Sequence, residues 1–171
     1  MNNIKLYGFL LGVALLNSCA PTKNFSYDGK GFKDAYNSIT SAELKENLYV
    51  IGYDKMEGRD TGSAGQKKAG EYMIEQYKKN GIGFPPALGS YYQKVPSESM
   101  KKYGETLPDS ENILAFIEGS EKSNEIIVVS AHYDHVGMKK GEVYNGADDD
   151  GSGTVAVMEI AEAFQEAKRK G

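Results

Sequence analysis

The feature that most constrains the fold is a run of four apolar, β-branched residues at positions 126–129, Ile-Ile-Val-Val. Such a run, without polar alternation, predicts a strand that is buried on both faces. Strands of this kind occupy the middle of an α/β sheet. Ser130, Ala131 and His132 follow at the carboxyl end, the edge where open α/β sheets bind their ligands. We therefore expect a functional site directly after this strand.

Three helices are predicted around this strand, and two of them begin at capping boxes. Thr40 with Glu43 forms the first box, and Ser63 with Gln66 forms the second. Apolar residues then recur at helical spacing after both boxes. The third helix is predicted from about residue 153 to 170 and has one apolar and one charged face.

Strand candidates also occur at residues 91–95 and 113–117, with a loop predicted at 97–111. Because buried strands alternate with amphipathic helices, the chain is predicted to be α/β, with a three-layer α/β/α sandwich and a mixed, mostly parallel central sheet. The next strand of such a sheet does not appear before Gly171. We therefore expect the chain to be truncated after its first motif-bearing strand and the helix that follows.

The first 39 residues differ in kind from the rest. Lys5 is the only charge before Cys19, and an apolar run at residues 6–16 separates them. This layout is typical of a secretory signal, and the run is shorter than the roughly 20 residues of a membrane span. We predict a lipoprotein signal peptide at residues 1–18, a lipid on Cys19 and a polar tether at residues 19–39. The alternative is a simple cleaved signal with an incidental cysteine.

The charge balance argues against a nucleic-acid partner. The formal net charge is −4, and the basic residues are spread among acidic ones. A nucleic-acid-binding domain would need a basic face. Cys19 is the only cysteine, so an internal disulfide is impossible.

Two clusters carry residues suited to chemistry, at 131–135 and at 145–153. The first places His132 and Asp134 at the predicted strand end, and imidazole with carboxylate suits zinc. The second holds three consecutive carboxylates before a Gly-Ser-Gly turn. Alone, His132 could be a structural histidine, and the acidic run could be a helix cap. A calcium loop is a further reading, but the spacing of the acids does not match one.

Together and in this order, the two clusters resemble those of the two-zinc aminopeptidase family, which includes bacterial leucyl aminopeptidases and aminopeptidase Y. The matching text is Ser-Ala-His-Tyr-Asp-His-Val-Gly at 130–137 and Asn-Gly-Ala-Asp-Asp-Asp-Gly-Ser-Gly at 145–153. Lesser matches lie at 56–66 and 110–114. The likeness runs from about residue 41 to the end, so residues 40–171 would be the N-terminal part of a zinc-peptidase domain. The resemblance implies a sheet of about eight strands.

The resemblance also implies roles for individual residues. His132 corresponds to a terminal ligand of one zinc, and Asp149 to the carboxylate that bridges two zinc ions. Asp134 corresponds to the acid that orients the histidine. No ligand role is implied for Asp148, Asp150 or His135. His132 and His135, three residues apart at a strand end, are expected to point to opposite faces.

The implied activity is zinc-dependent removal of N-terminal residues from peptides that have a free amino terminus. The catalytic glutamate and the remaining ligands are absent from these 171 residues. We therefore expect weak metal binding at best and no turnover from this chain alone.

Two alternatives stay open. The same fold serves carboxypeptidases or dipeptidases and glutaminyl cyclases, and a relict site would leave a non-catalytic, peptide-binding lipoprotein. In each case the protein is expected to be exported. It would be anchored by lipid to the bacterial cell envelope, facing the periplasm or the cell surface.

Overall fold

The computed structural model describes residues 29–102, 105–122 and 124–170. The predicted signal peptide, Cys19 and the first part of the tether lie outside these residues. The described part is a mixed α/β structure of helices and small antiparallel sheets. Its helices are α1 (Lys30–Ser38), α2 (Ser41–Ile51), α3 (Ala64–Lys79) and α4 (Ser152–Lys170), and its strands are β1 (Tyr92–Val95), β2 (Lys101–Lys102), β3 (Glu105–Thr106), β4 (Ser110–Ile113), β5 (Met138–Lys139) and β6 (Glu142–Val143).

The three predicted helices are confirmed, and two begin at the predicted caps. The Thr40 hydroxyl accepts a hydrogen bond from the Glu43 amide, and Ser63 accepts one from the Gln66 amide, each at 3.2 Å. Each cap satisfies a backbone donor that has no partner within the first turn of its helix. The last part of the predicted tether is helical, because residues 30–38 form helix α1. This helix buries Ala35 and packs against α4.

The strands of the described part form three two-stranded antiparallel sheets, β1 with β4, β2 with β3 and β5 with β6. Strand β1 confirms the prediction at residues 91–95, whereas β2 and β3 lie in the predicted loop. Strand β4 ends at Ile113, where the predicted strand begins. Beyond it, Phe116 forms only an isolated bridge to Gly83.

The predicted central strand at residues 126–129 is wrong for the described part of the chain. These residues form no strand, and the side chains of Ile126, Ile127 and Val128 are at least 80% exposed. The reason is that a strand needs a neighbour to pair its backbone groups, and no described segment pairs with this run. The predicted parallel sheet is consequently not present among the described residues.

The core lies where α2, α3 and α4 meet. Ile51 and Ala69 are fully buried, and Met73, Tyr77 and Val155 are nearly so. The apolar stripe that the sequence predicts on α3 thus packs in the core. Tyr133 also belongs to this core, and its hydroxyl donates to the Glu111 carbonyl at 2.8 Å. Tyr133 therefore fixes the segment that carries His132 and Asp134 against the helices.

No helix in the described residues is both long and apolar enough to cross a membrane.

Candidate metal centre

The two predicted clusters meet in the structure, and their closest contact joins His132 to Asp149. Nε2 of His132 lies 3.2 Å from Oδ1 of Asp149. Both side chains are accessible, since His132 is 53% and Asp149 is 73% exposed. The residues that the resemblance implies as zinc ligands therefore face each other at an open surface.

The ring of His132 is held by the main chain of Asp134. Nδ1 of His132 lies 3.0 Å from the Asp134 carbonyl oxygen. A carbonyl oxygen can only accept, so Nδ1 must carry the proton in this contact. The neutral ring then presents the lone pair of Nε2 to Asp149, which is the tautomer that a metal ligand needs.

The carboxylate of Asp134 is farther from the ring than the prediction of an orienting acid suggests. Its Oδ1 lies 3.7 Å from Nδ1 of His132, while Oδ2 accepts a hydrogen bond from the Thr61 hydroxyl at 2.5 Å. The structure thus brings Asp134 to His132 through its main-chain oxygen. The side chain ties this loop to residue 61 instead.

His135 does not point away from His132, and the expectation of opposite faces is wrong. Nδ1 of His135 lies 3.8 Å from Oδ2 of Asp149, so both imidazoles approach the same carboxylate. The alternation rule fails because residues 132–135 do not form a regular strand. His135 is more enclosed than His132, at 15% against 53% exposure.

The acidic residues around His132 change its titration. The hydrogen bond to the Asp134 carbonyl raises the pKa of His132, as do the charges of Asp134, Asp150 and Asp149, while partial burial opposes them. A facing lone pair and carboxylate repel each other unless a positive charge lies between them. The site therefore favours either a proton or a metal cation at Nε2.

The second cluster turns sharply into helix α4. Gly146 has a positive φ of 53°, and a Cβ at this position would lie 2.4 Å from Cγ of His135. Asp150 accepts a hydrogen bond from the Gly153 amide at 3.0 Å, as a capping side chain does at the start of a helix. In the first turn of α4, the buried Thr154 hydroxyl donates to the His132 carbonyl at 2.9 Å. Helix α4 therefore positions both clusters.

Sequence reasoning missed the segment that braces the first cluster, residues 58–61. The His135 amide donates to the Arg59 carbonyl, and the Gly137 amide donates to the Gly58 carbonyl, each at 2.9 Å. Arg59 is itself fully buried. The sequence signal for this segment is the Met-Glu-Gly-Arg text at 56–59, which belongs to the resemblance but implies no role for a single residue.

The described residues fit part of a zinc site. Two ligands at 2.0–2.2 Å from a tetrahedral zinc are separated by roughly 3.3–3.6 Å, slightly more than the 3.2 Å between Nε2 of His132 and Oδ1 of Asp149. Among the described residues, no group of three or more His, Cys, Asp or Glu residues is arranged to hold a metal ion. The chain thus offers two donors of the right chemistry and spacing, and the other corners of a complete site are not among them.

Comparisons with known proteins match the part of the chain that carries both clusters. Residues 112–170 match peptidase family M28. Leucine aminopeptidase 1 of Trichoderma harzianum is 37% identical over 68 residues, a match that covers 39% of this chain and 16% of that protein. No solved structure matches. These matches confirm the resemblance to M28 aminopeptidases over the segment that carries His132, Asp134 and Asp149.

Proposed function

We propose that the whole protein is a zinc-dependent aminopeptidase that removes N-terminal residues from peptides. The match to peptidase family M28 and the similarity to a leucine aminopeptidase support a peptidase in general. The observation that carries the proposal is the approach of Nε2 of His132 to Oδ1 of Asp149 at 3.2 Å. Two metal-binding atoms face each other there with no proton donor between them when the histidine is neutral.

In this proposal His132 and Asp149 hold zinc, which polarises a peptide carbonyl and activates water when it is bound. The Asp134 carbonyl keeps the proton on Nδ1 of His132 and thereby reserves Nε2 for the metal. Oδ2 of Asp149 is directed toward His135 and away from the first contact. This spread of its two oxygens suits the bridging role between two zinc ions that the resemblance implies.

The remaining ligands and the general base would come from parts of the whole protein other than the described residues. The exposure of His132 and Asp149 supports this view, because an open pair of donors leaves room for others to approach. A free amino terminus of a peptide would be the substrate feature that the completed site selects.

The test is hydrolysis of leucine-7-amido-4-methylcoumarin by the whole protein. We expect activity that is lost with 1,10-phenanthroline and restored by zinc. The His132→Ala and Asp149→Asn variants should lose at least about a hundredfold in kcat/KM, because each removes a metal ligand. Asp148→Asn is the matched control, since it removes the same charge from the neighbouring residue and should stay near wild type.

Two further substrates, an N-blocked peptide and a peptide with an N-terminal glutamine, separate the alternatives. Release of a C-terminal residue from an N-blocked peptide would indicate a carboxypeptidase, and ring closure of an N-terminal glutamine would indicate a cyclase. Retained activity in both ligand variants would contradict the proposal. Absence of any turnover, with peptides still bound, would favour a binding lipoprotein.

We further propose that Cys19 carries a lipid that anchors the exported protein to the cell envelope. The apolar run at 6–16 that ends shortly before a single cysteine supports this proposal. Cells fed radiolabelled palmitate should label the wild-type protein but not Cys19→Ser. Equal labelling of the two would contradict the anchor.

A further inference from the structure

Arg59 is a buried charge that lies behind the candidate centre. Its side chain is fully buried, and burial lowers the pKa of Arg59 while the charge of Asp134 opposes this effect. All of its hydrogen bonds in the described structure go to main-chain carbonyls. Nε donates to Tyr133 at 2.6 Å, Nη1 donates to Ile51 at 2.6 Å and to Asn145 at 2.7 Å, and Nη2 donates to Gly146 at 2.8 Å.

These four carbonyls belong to the two loops that carry His132 and Asp149 and to the end of helix α2. Tyr133 lies between His132 and Asp134, so its carbonyl fixes the first cluster. Asn145 and Gly146 open the run that leads to Asp149, so their carbonyls fix the second. Ile51 ends helix α2 and connects both to the core.

The main chain of residue 59 adds to the same connection. The Arg59 carbonyl accepts from the His135 amide at 2.9 Å. Arg59 and the preceding Glu57 and Gly58 all have positive φ, so the backbone turns tightly here and aims the side chain inward. Left-handed φ is unfavourable for residues with a Cβ, and the surrounding contacts hold it in place.

We propose that Arg59 is a positioning residue that joins the His132 loop to the Asp149 loop and thereby sets the spacing of the two metal ligands. This inference rests on the proposed function, since it assumes that His132 and Asp149 bind metal. The guanidinium is suited to the task because its five donors point in fixed, different directions. A lysine ammonium retains the charge but cannot reach both loops and Ile51 in the same way.

The experiment measures zinc affinity by calorimetry and stability by thermal unfolding, for the whole protein and its Arg59→Lys variant. We expect Arg59→Lys to bind zinc about ten- to a hundredfold more weakly, the range typical when a residue that orients ligands is changed. Arg169→Lys is the matched control, because Arg169 also donates to a main-chain carbonyl, that of Asn80, but at an exposed site away from the centre. Its zinc affinity should equal that of wild type.

Equal zinc affinity in wild type and Arg59→Lys would overturn the inference but leave the proposed function intact. No zinc binding by wild type would instead count against the metal site itself, and with it this inference.

If Arg59→Lys fails to fold, Arg59→Ala with added methylguanidinium takes its place. Recovery of zinc affinity with the added guanidinium would support a positioning role. Recovery of the fold without zinc affinity, or no recovery, would overturn it and leave Arg59 with a role in the fold alone.

Discussion

Two adjacent segments, residues 126–129 and residues 132–137, behave in opposite ways. The first is apolar and reads as a buried strand, yet its side chains are exposed and its residues form no strand. The second is polar and carries part of the site, yet the hydrogen bonds of Arg59, Tyr133 and Thr154 tie it to the turn before α3, to strand β4 and to helix α4. Composition indicates what a segment would gain from burial. Whether it is buried depends on a partner, and the polar segment has its partners within the described residues.

The largest expected effect comes from making the same substitution in a buried and an exposed position. Ile51 is fully buried, whereas Ile127 is 85% exposed. Ile51→Ala should lower the free energy of unfolding by about 2–5 kcal/mol, because it leaves a cavity. Ile127→Ala should change it by less than about 0.5 kcal/mol. Urea unfolding of both variants checks the difference, and comparable losses would show that residues 126–129 are buried in solution.

The turn before Asp149 should be the next most sensitive. Gly146→Ala places a Cβ 2.4 Å from Cγ of His135, at a φ of 53°. Gly89 has a φ of 66° but nothing within 4 Å of its Cβ position, so Gly89→Ala isolates the backbone term of about 1–2 kcal/mol. In thermal unfolding, Gly146→Ala should destabilise the protein by more than Gly89→Ala does. It should also shift the NMR resonances of the His135 ring. Equal effects would mean that the loop moves freely away from His135.

A smaller effect is expected from the link between helix α4 and the His132 loop. Thr154→Val removes the hydroxyl that donates to the His132 carbonyl at 2.9 Å but keeps the side-chain shape. The loss should be about 0.5–1.5 kcal/mol in the free energy of unfolding. Hydrogen exchange should rise at residues 132–135 more than in helix α3. Uniform exchange would argue that α4 does not hold this loop.

The smallest effect concerns a buried acid on α4. Burial raises the pKa of Glu159, whose carboxylate accepts from Asn47 at 2.8 Å. Above the unfolded pKa, near 4.5, the unfolded chain gives up this proton more readily than the folded chain. The protonated carboxyl of Glu159 therefore contributes its full stability below the unfolded pKa. This contribution is lost as the pH rises through the pKa that Glu159 has in the folded protein. Glu159→Gln should be the more stable protein at pH 7 and show a flatter pH profile.

Denaturation from pH 4 to pH 8 checks the prediction for Glu159, with Glu121→Gln as a control at an exposed position. A Glu159→Gln variant that is less stable than wild type at pH 7 would contradict it.

The sequence predicts the helices better than the sheet. Capping boxes at Thr40 and Ser63 act within one turn, so local sequence suffices to place α2 and α3. The two motif clusters meet, and His132 faces Asp149 as the resemblance implies. Residues 126–129 could not be placed in the same way, because a strand depends on distant partners that periodicity does not reveal.

The hydrogen bonds that hold the site in place could not be predicted from the sequence for a similar reason. The hydrogen bonds of Arg59 span more than 70 residues to Tyr133 and more than 80 to Asn145, and their acceptors are main-chain oxygens that carry no sequence signal. Side-chain alternation along a strand predicts the wrong orientation for His135, because residues 132–135 do not form a regular strand.

The central claim is that His132 and Asp149 bind one metal ion together. A cobalt titration of the 171-residue chain, followed by NMR of the histidine rings and backbone amides, tests it most directly. We expect weak binding that perturbs His132 and residues around Asp149 first, with Nε2 of His132 as the coordinating atom. In His132→Ala, which lacks the coordinating ring, the perturbation of the residues around Asp149 should vanish. Perturbation centred elsewhere, or an unchanged response in His132→Ala, would contradict the account.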